Sequence, residues 1–121
     1  MAKIVIVDDD DKFREMLAGF LKGLGHEVVS ATDPVNLLMV IKEHRPNLIF
    51  MDMQMPAGGG VQAVRNLSSI PGMSKVPLLF CSGMPPHEIK KWFPENHSRR
   101  YVGKPVELPA LKQLMEELLA S

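Results

Sequence analysis

Short apolar runs alternate with amphipathic stretches along the whole chain, and most of the apolar runs end at charged, hydroxyl or glycine residues. Three runs are continuous, which is typical of parallel strands buried on both faces: Ile4 to Val7, Leu48 to Met51 and Pro77 to Cys81. Two more polar runs, His26 to Ser30 and Tyr101-Val102, have the pattern of edge strands. The pattern therefore predicts five strands.

Between these runs, apolar residues recur at the three- and four-residue spacing of helices with one buried face. In the first and last of these stretches they are Phe13, Leu17, Phe20, Leu21 and Leu24, and Leu108, Leu111, Leu114, Met115 and Leu118. Asp33 is expected to cap the second helix, and Pro85 and Pro94 to bound a short fourth one. Strands that alternate with helices predict an α/β fold, a doubly wound parallel sheet with helices on both faces.

The composition limits the classes of function. A chain of 121 residues has the size of one domain, so residues 1–121 are expected to form a single unit. Its 14 basic and 14 acidic side chains balance, which argues against binding to nucleic acid or to a membrane surface. The one cysteine allows no internal disulfide, and neither a signal peptide nor a membrane-spanning run is visible. We therefore expect a cytoplasmic location.

Unusual polar residues follow the predicted strands, at the points where ligands bind in open α/β sheets. Asp8 and Asp9 follow strand one, Asp52 strand three, Ser82 strand four and Lys104 strand five. Three carboxylates at one edge repel each other unless a cation neutralises them. Mg²⁺ accepts carboxylate oxygens and leaves room for a phosphoryl oxygen. This set therefore predicts a site that holds a phosphoryl group, with a carboxylate as a candidate nucleophile.

The same residues, in this order and spacing, resemble the receiver domain of two-component response regulators over essentially the whole chain. The matching segments are Val7-Asp8-Asp9, Asp52-Met53-Gln54-Met55-Pro56 with Gly60, Ser82, and Tyr101-Val102-Gly103-Lys104-Pro105. The resemblance implies a flavodoxin-like, five-stranded sheet in the order 2-1-3-4-5 with five helices, like a single-domain chemotaxis regulator.

The resemblance also implies a role for each matching residue in phosphorylation. Asp52 would be the phospho-acceptor, supplied by a histidine kinase, a histidine phosphotransfer protein or a small phosphodonor. Asp9 and Asp52 would bind Mg²⁺ directly, Asp8 more through water, and Gln54 through its backbone carbonyl. Lys104 would pair with the phosphate, and its peptide bond to Pro105 is expected to be cis.

A switch is implied as well. Ser82 would move to hydrogen-bond the phosphoryl oxygen, and Tyr101 would swing inward behind it. This would reshape the face made by helix four, strand five and helix five, where an unknown downstream protein would dock. Gly83 stands where the family usually has alanine, which would loosen the loop after Ser82. Gln54 and Met84 occupy the two positions that tune the loss of phosphate in the family.

Two other functions compete with the phosphorylated switch. One is an interaction module with a receiver fold that no longer uses phosphate. The intact set of five site residues argues against it. The other is an enzyme with an aspartyl-phosphate intermediate, which would need a second acid two residues after Asp52, where Gln54 stands. The chain is therefore expected to catalyse only its own phosphorylation and dephosphorylation. No room for an effector domain is expected after the last helix, which fits a single-domain regulator or phosphorelay intermediate and equally the N-terminal receiver of a longer protein.

Overall fold

Five parallel strands form one sheet, and the sequence places each where a run of apolar residues predicts it. They are β1 (Lys3–Val7), β2 (Glu27–Ala31), β3 (Leu48–Met51), β4 (Leu78–Ser82) and β5 (Arg99–Gly103). Their order across the sheet is β2-β1-β3-β4-β5. The computed structural model describes residues 1–32, 34–52, 64–67 and 69–120. The predicted sheet and its order are confirmed.

Helices connect the strands and cover both faces of the sheet. They are α1 (Asp11–Gly23), α2 (Pro34–His44), α3 (helical at residues 64–67), α4 (Pro86–Trp92) and α5 (Leu108–Ala120). The side chain of Asp10 caps α1, because it accepts hydrogen bonds from the amides of Lys12 at 3.0 Å and Phe13 at 3.2 Å. The expected cap of α2, Asp33, lies outside the described residues.

The alternation of side chains along each strand divides the core into two layers. One layer lies against α2, α3 and α4 and contains Val5, Val7, Ile49, Met51, Leu78 and Phe80 from the strands. The other lies against α1 and α5 and contains Ile4, Ile6, Leu48, Phe50, Leu79 and Cys81. Burial raises the pKa of the Cys81 thiol, so this residue packs as a small apolar side chain. A sheet buried on both faces holds its strand ends rigidly, and those ends carry the polar residues.

Gly72 occupies a position that a side chain should not tolerate. Its φ is +84°, and a Cβ there would collide with the guanidinium of Arg45, which donates a hydrogen bond from Nη2 to the carbonyl of Pro71 at 2.6 Å. We expect Gly72→Ala to lower the free energy of unfolding by about 1–3 kcal/mol. Urea denaturation measures this loss. The matched control is Gly19→Ala within α1, where a Cβ meets nothing within 4 Å. This variant should instead stabilise the protein by about 0.5–1 kcal/mol.

His26 couples the stability of the fold to pH. Its Nδ1 accepts a hydrogen bond from the amide of Ala2 at 3.0 Å, which requires an unprotonated nitrogen. Burial, with a smaller effect of the N-terminal ammonium, lowers the pKa of His26 below its ordinary value of 6.5. The native state therefore binds fewer protons than the unfolded state, and its free energy of unfolding should fall as the pH drops through 6.5.

The measurement is the midpoint of urea denaturation at several pH values above and below 6.5, the ordinary pKa of a histidine side chain. His26→Gln should flatten the dependence, because the glutamine side chain does not titrate. His87→Gln, on the exposed side of α4, should keep the wild-type slope. An unchanged slope in His26→Gln would contradict the prediction.

Candidate functional site

The carboxyl ends of four strands bring the predicted site residues to one edge of the sheet. Asp8 follows β1, Asp52 follows β3, Ser82 ends β4 and Lys104 follows β5. Backbone hydrogen bonds continue beyond the strand ends, from the Asp52 amide to the Val7 carbonyl at 3.0 Å and from the Lys104 amide to the Ser82 carbonyl at 2.8 Å. The sheet itself therefore positions these side chains.

Lys104 bridges the two buried carboxylates. Its Nζ lies 2.6 Å from Oδ2 of Asp8 and 3.5 Å from Oδ2 of Asp52. The Asp8 and Asp52 side chains are only 2% and 6% exposed, whereas that of Lys104 is 22% exposed. The ammonium also lies 4.2 Å from the centre of the Phe13 ring. One cation thus faces two carboxylates and an aromatic ring at the mouth of the site.

Ser82 completes the environment of Asp52 from the other side. Its hydroxyl is fully buried and donates to Oδ1 of Asp52 at 3.0 Å. The Ser82 Oγ in turn accepts a hydrogen bond from the amide of Met84 at 3.1 Å. The Ser82 hydroxyl therefore links the Asp52 carboxylate to the backbone of the loop that follows β4.

Asp8 and Lys104, which form an ion pair, both have raised pKa values. Burial raises the pKa of Asp8, and this effect exceeds the opposing hydrogen bonds from Lys104 and from the amide of Asp10. For Lys104, burial acts downward, but the hydrogen bond and charge of Asp8, followed by the charge of Asp52, raise its pKa overall. One ammonium is shared between the carboxyl groups of Asp8 and Asp52, so it does not offset the effect of burial on the pKa of Asp8. Lys104 is therefore charged at neutral pH, and its single ammonium faces two carboxyl groups.

A divalent cation suits the cluster of three neighbouring carboxyl groups at this edge of the sheet. Carboxylate oxygens of Asp8, Asp9 and Asp52 all lie within 4.8 Å of one another. Asp9 is exposed, whereas the other two are buried, so a cation held here would keep access to solvent and to its own waters. All three donors are hard oxygen ligands, which Mg²⁺ prefers. The fourth predicted ligand, Gln54, lies outside the described residues.

Tyr101 lies on β5, opposite Phe80 of β4, and outside the carboxylate cluster. Its hydroxyl donates to the Phe93 carbonyl at 2.7 Å, and its ring stacks on Phe80 with centroids 5.4 Å apart. Burial is the main reason why its pKa is raised. Phe80 stands two positions before Ser82 on the same face of β4, so one buried ring separates Tyr101 from the site.

Two residues of the site were missed by sequence reasoning, which placed Phe13 only on the apolar face of α1. Arg14 donates from Nη1 to the Asp8 carbonyl at 2.6 Å and also pairs with Asp11. The three-residue spacing of Asp11 and Arg14 was the available signal. The predicted cis peptide bond between Lys104 and Pro105 is confirmed.

Comparison with known proteins decides the family. The model of the response regulator receiver domain matches residues 4–116. The chain belongs to this family. Receiver domains of two-component signalling interact with histidine kinases and with downstream partners, and they are not usually enzymes in their own right. The predicted receiver class is therefore confirmed.

Individual relatives agree with this assignment. The chain is 29% identical to Protein PilH of Pseudomonas aeruginosa over 120 residues, which covers 99% of each chain. It is 21% identical to the polar-differentiation response regulator DivK of Brucella anthropi, over 96% of this chain and 94% of that one.

Solved structures show the same fold. A putative response regulator from Chloroflexus aurantiacus is 27% identical, with a TM-score of 0.88 over 99% of this chain and 98% of that chain. The receiver domain of sensor histidine kinase PA1611 from P. aeruginosa, solved with a magnesium ion in its active site cleft, is 19% identical with a TM-score of 0.86 over 99% and 98%. The flavodoxin-like architecture is confirmed. Within the described residues, no helix is long and apolar enough to cross a bilayer.

Proposed function

We propose that this protein is a phosphorylated switch in which Asp52 accepts a phosphoryl group from a histidine kinase or a histidine phosphotransfer protein. The observation that carries the proposal is the position of the Asp52 carboxylate between the hydroxyl of Ser82 and the ammonium of Lys104, at 3.0 and 3.5 Å. This arrangement provides a hydrogen-bond donor and a positive charge beside the buried Asp52 carboxylate.

In the transfer, a carboxylate oxygen of Asp52 attacks phosphorus. A new O–P bond forms while the bond from phosphorus to the donor's histidine nitrogen, or to the oxygen of a small donor, breaks. The leaving group keeps the electron pair of that bond. The Lys104 ammonium balances charge that develops on the equatorial phosphoryl oxygens, and the Ser82 hydroxyl turns from Asp52 to one of those oxygens.

Mg²⁺ is the cofactor that suits the cluster. We propose that Asp9 and Asp52 bind it directly and Asp8 more through water, with the backbone carbonyl of Gln54 as a further ligand. When bound, the cation neutralises the carboxylates and the incoming phosphoryl oxygens. The magnesium ion reported in the PA1611 receiver domain supports this choice.

Phosphorylation would be transmitted through the packing behind β4. We propose that movement of Ser82 toward the phosphoryl group draws in the following loop, to which it is hydrogen-bonded through Met84. Tyr101, stacked on Phe80, would then exchange its bond to the Phe93 carbonyl for a more buried position. The face made by α4, β5 and α5 would change as a result, and a downstream protein would bind there.

We further propose that residues 1–121 form one receiver domain that acts in the cytoplasm by binding proteins. Balanced charge supports the absence of direct contact with nucleic acid or with membranes. Catalysis would be limited to the protein's own phosphorylation and its hydrolysis.

The experiment that tests this function is intact mass spectrometry after incubation with acetyl phosphate and Mg²⁺. We expect wild-type protein to gain one phosphoryl group and Asp52→Asn to gain none, because the amide is not a nucleophile. Removal of Mg²⁺ with EDTA should also prevent the gain.

Glu117→Gln is the matched control, since Glu117 is an exposed carboxylate on α5 and its loss should not affect labelling. Beryllofluoride with Mg²⁺ provides a second readout that requires no phosphodonor. If neither reagent changed the mass or the NMR spectrum of the wild type, the phosphorylation-independent interaction module would replace the proposed function.

A further inference from the structure

A cavity opens at the end of the sheet opposite the cluster of Asp8, Asp9 and Asp52. Its volume is about 480 Å³, within the range of small-molecule sites, and it lies at the amino ends of β4 and β5 beside α3. Leu78 at its wall and Ser82 in the phosphorylation site are the two ends of β4, roughly 13 Å apart at about 3.3 Å per residue. The cavity is therefore separate from the site described above.

The lining combines an apolar floor with a cationic rim. Val64, Leu67, Val76 and Leu78 form the apolar part. The cationic residues at the cavity are Arg65, Lys75 and Arg99, and His97 also lines it. Among the described residues no acidic side chain lines it, and the sequence has none at positions 53–63 or 68. In a chain with no net charge, this is a local concentration of positive charge that attracts anions.

One wall of the cavity is held in place by hydrogen bonds. The Ser98 amide donates to Oδ1 of Asn96 at 2.7 Å, and the Leu78 amide donates to the Ser98 carbonyl at 2.9 Å. Arg99 is anchored through Nη1 to the Pro94 carbonyl at 2.9 Å, and its guanidinium lies 5.6 Å from the centre of the Phe93 ring. Because the side-chain Oδ1 of Asn96 accepts the hydrogen bond from the Ser98 amide, the side-chain NH₂ of Asn96 is left as a donor. The wall is thus ordered before a ligand arrives.

Lys75 faces this wall without a carboxylate of its own. Within the described part of the chain, other lysines form ion pairs, such as Lys90 with Glu95 at 3.2 Å and Lys112 with Glu116 at 3.7 Å, and none of the pairs includes Lys75. An ammonium without a counter-ion beside an arginine favours a group with two or three anionic oxygens.

We propose that this cavity binds a small phosphate ester with an apolar ring, of the size of a nucleoside monophosphate. The phosphate would contact Lys75 and Arg99 at the rim, and the ring would lie on the floor formed by Val76 and Leu78. Neither half of such a ligand alone satisfies the lining, since inorganic phosphate leaves the floor uncovered and an uncharged nucleoside gives the Lys75 ammonium no anionic partner. The inference does not depend on phosphorylation of Asp52.

The test is titration of the full chain with AMP, inorganic phosphate and adenosine, followed by calorimetry and by ¹H–¹⁵N NMR. AMP should bind more tightly than phosphate or adenosine, and its affinity should fall as salt is raised. The amides that shift should be those of residues 74–78 and 96–99. Absence of AMP binding, equal affinity for adenosine, or shifts centred on Asp8 and Asp52 would overturn the proposal.

Two substitutions identify the contacts. Lys75→Gln and Arg99→Gln should each raise the Kd for AMP by about tenfold or more, the loss expected for one charge-assisted hydrogen bond. Lys12→Gln, an exposed lysine in α1 outside the cavity, is the matched control and should leave the Kd unchanged. Lys75→Gln changes an exposed side chain, so it keeps the test decisive even if Arg99→Gln fails to fold. An unchanged Kd in Lys75→Gln would overturn the proposal.

Discussion

Replacing Lys104 with methionine should slow the phosphorylation of Asp52 by about 10²–10³-fold, the usual cost of removing one preorganised charge-stabilising donor. It should also lower the free energy of unfolding by about 2–3 kcal/mol at neutral pH without Mg²⁺, because the buried Asp8 and Asp52 carboxylates lose their shared cation. Rates are measured by mass spectrometry with acetyl phosphate, and stability by urea denaturation.

The loss of stability in Lys104→Met should depend on pH. Burial already raises the pKa of Asp8 above its unfolded value, and removal of the ammonium should raise it further. The native state then binds more protons than the unfolded state, so the variant should regain stability as the pH falls toward the pKa of Asp8.

Lys112→Met is the matched control for Lys104→Met. Lys112 pairs with Glu116 at 3.7 Å on the exposed side of α5, and the loss there should be below about 1 kcal/mol. If Lys104→Met behaved like Lys112→Met in both measurements, Lys104 would be no more than a surface lysine before a proline turn.

Replacing Phe80 with alanine should destabilise the protein by about 3–5 kcal/mol, as expected for a fully buried aromatic ring. The ring lies between Phe93, at a centroid distance of 5.7 Å, and Tyr101, at 5.4 Å. Its removal should therefore also free the Tyr101 ring, which is observed as a change in near-ultraviolet circular dichroism and in the ring proton shifts. Phe80→Leu, which conserves most of the volume, should cost less than about 2 kcal/mol.

Phe50→Ala separates the two effects of the Phe80 substitution. Phe50 is equally buried but packs in the layer against α1 and α5. The two alanine variants should lose similar stability, yet only Phe80→Ala should change the Tyr101 signals. Equal changes in Tyr101 would show that its environment responds to global loosening and not to the stack on Phe80, and would remove the proposed link from Ser82 to Tyr101.

Much of the fold follows from the sequence because burial leaves a local record. The run Leu48–Met51 is buried throughout, and its predicted bounds agree with the strand. The bounds of β5 are less well predicted, since Tyr101-Val102 extends to Arg99–Gly103. All five residues of that edge strand are only partly buried, and its arginines mask the apolar pattern.

The sequence predicted most of the residues that form the site but not which of them contact one another. Asp8, Asp52, Ser82 and Lys104 were identified because parallel strands end at a common edge. Phe13 and Arg14 were missed, since an aromatic ring over an ammonium and an arginine on a carbonyl follow from the direction in which α1 leaves β1.

Sequence alone determined which strands are buried on both faces and which strand ends are followed by polar groups. Only the tertiary structure decided that Lys104 lies closer to Asp8 than to Asp52, across 96 residues of chain. It also decided that Phe80 separates Tyr101 from Ser82, and that Lys75 and Arg99 meet at one cavity. The physical reason is that periodicity records only whether a side chain faces inward. Which partners it meets there depends on strand register and helix placement, which are set by packing of the whole chain.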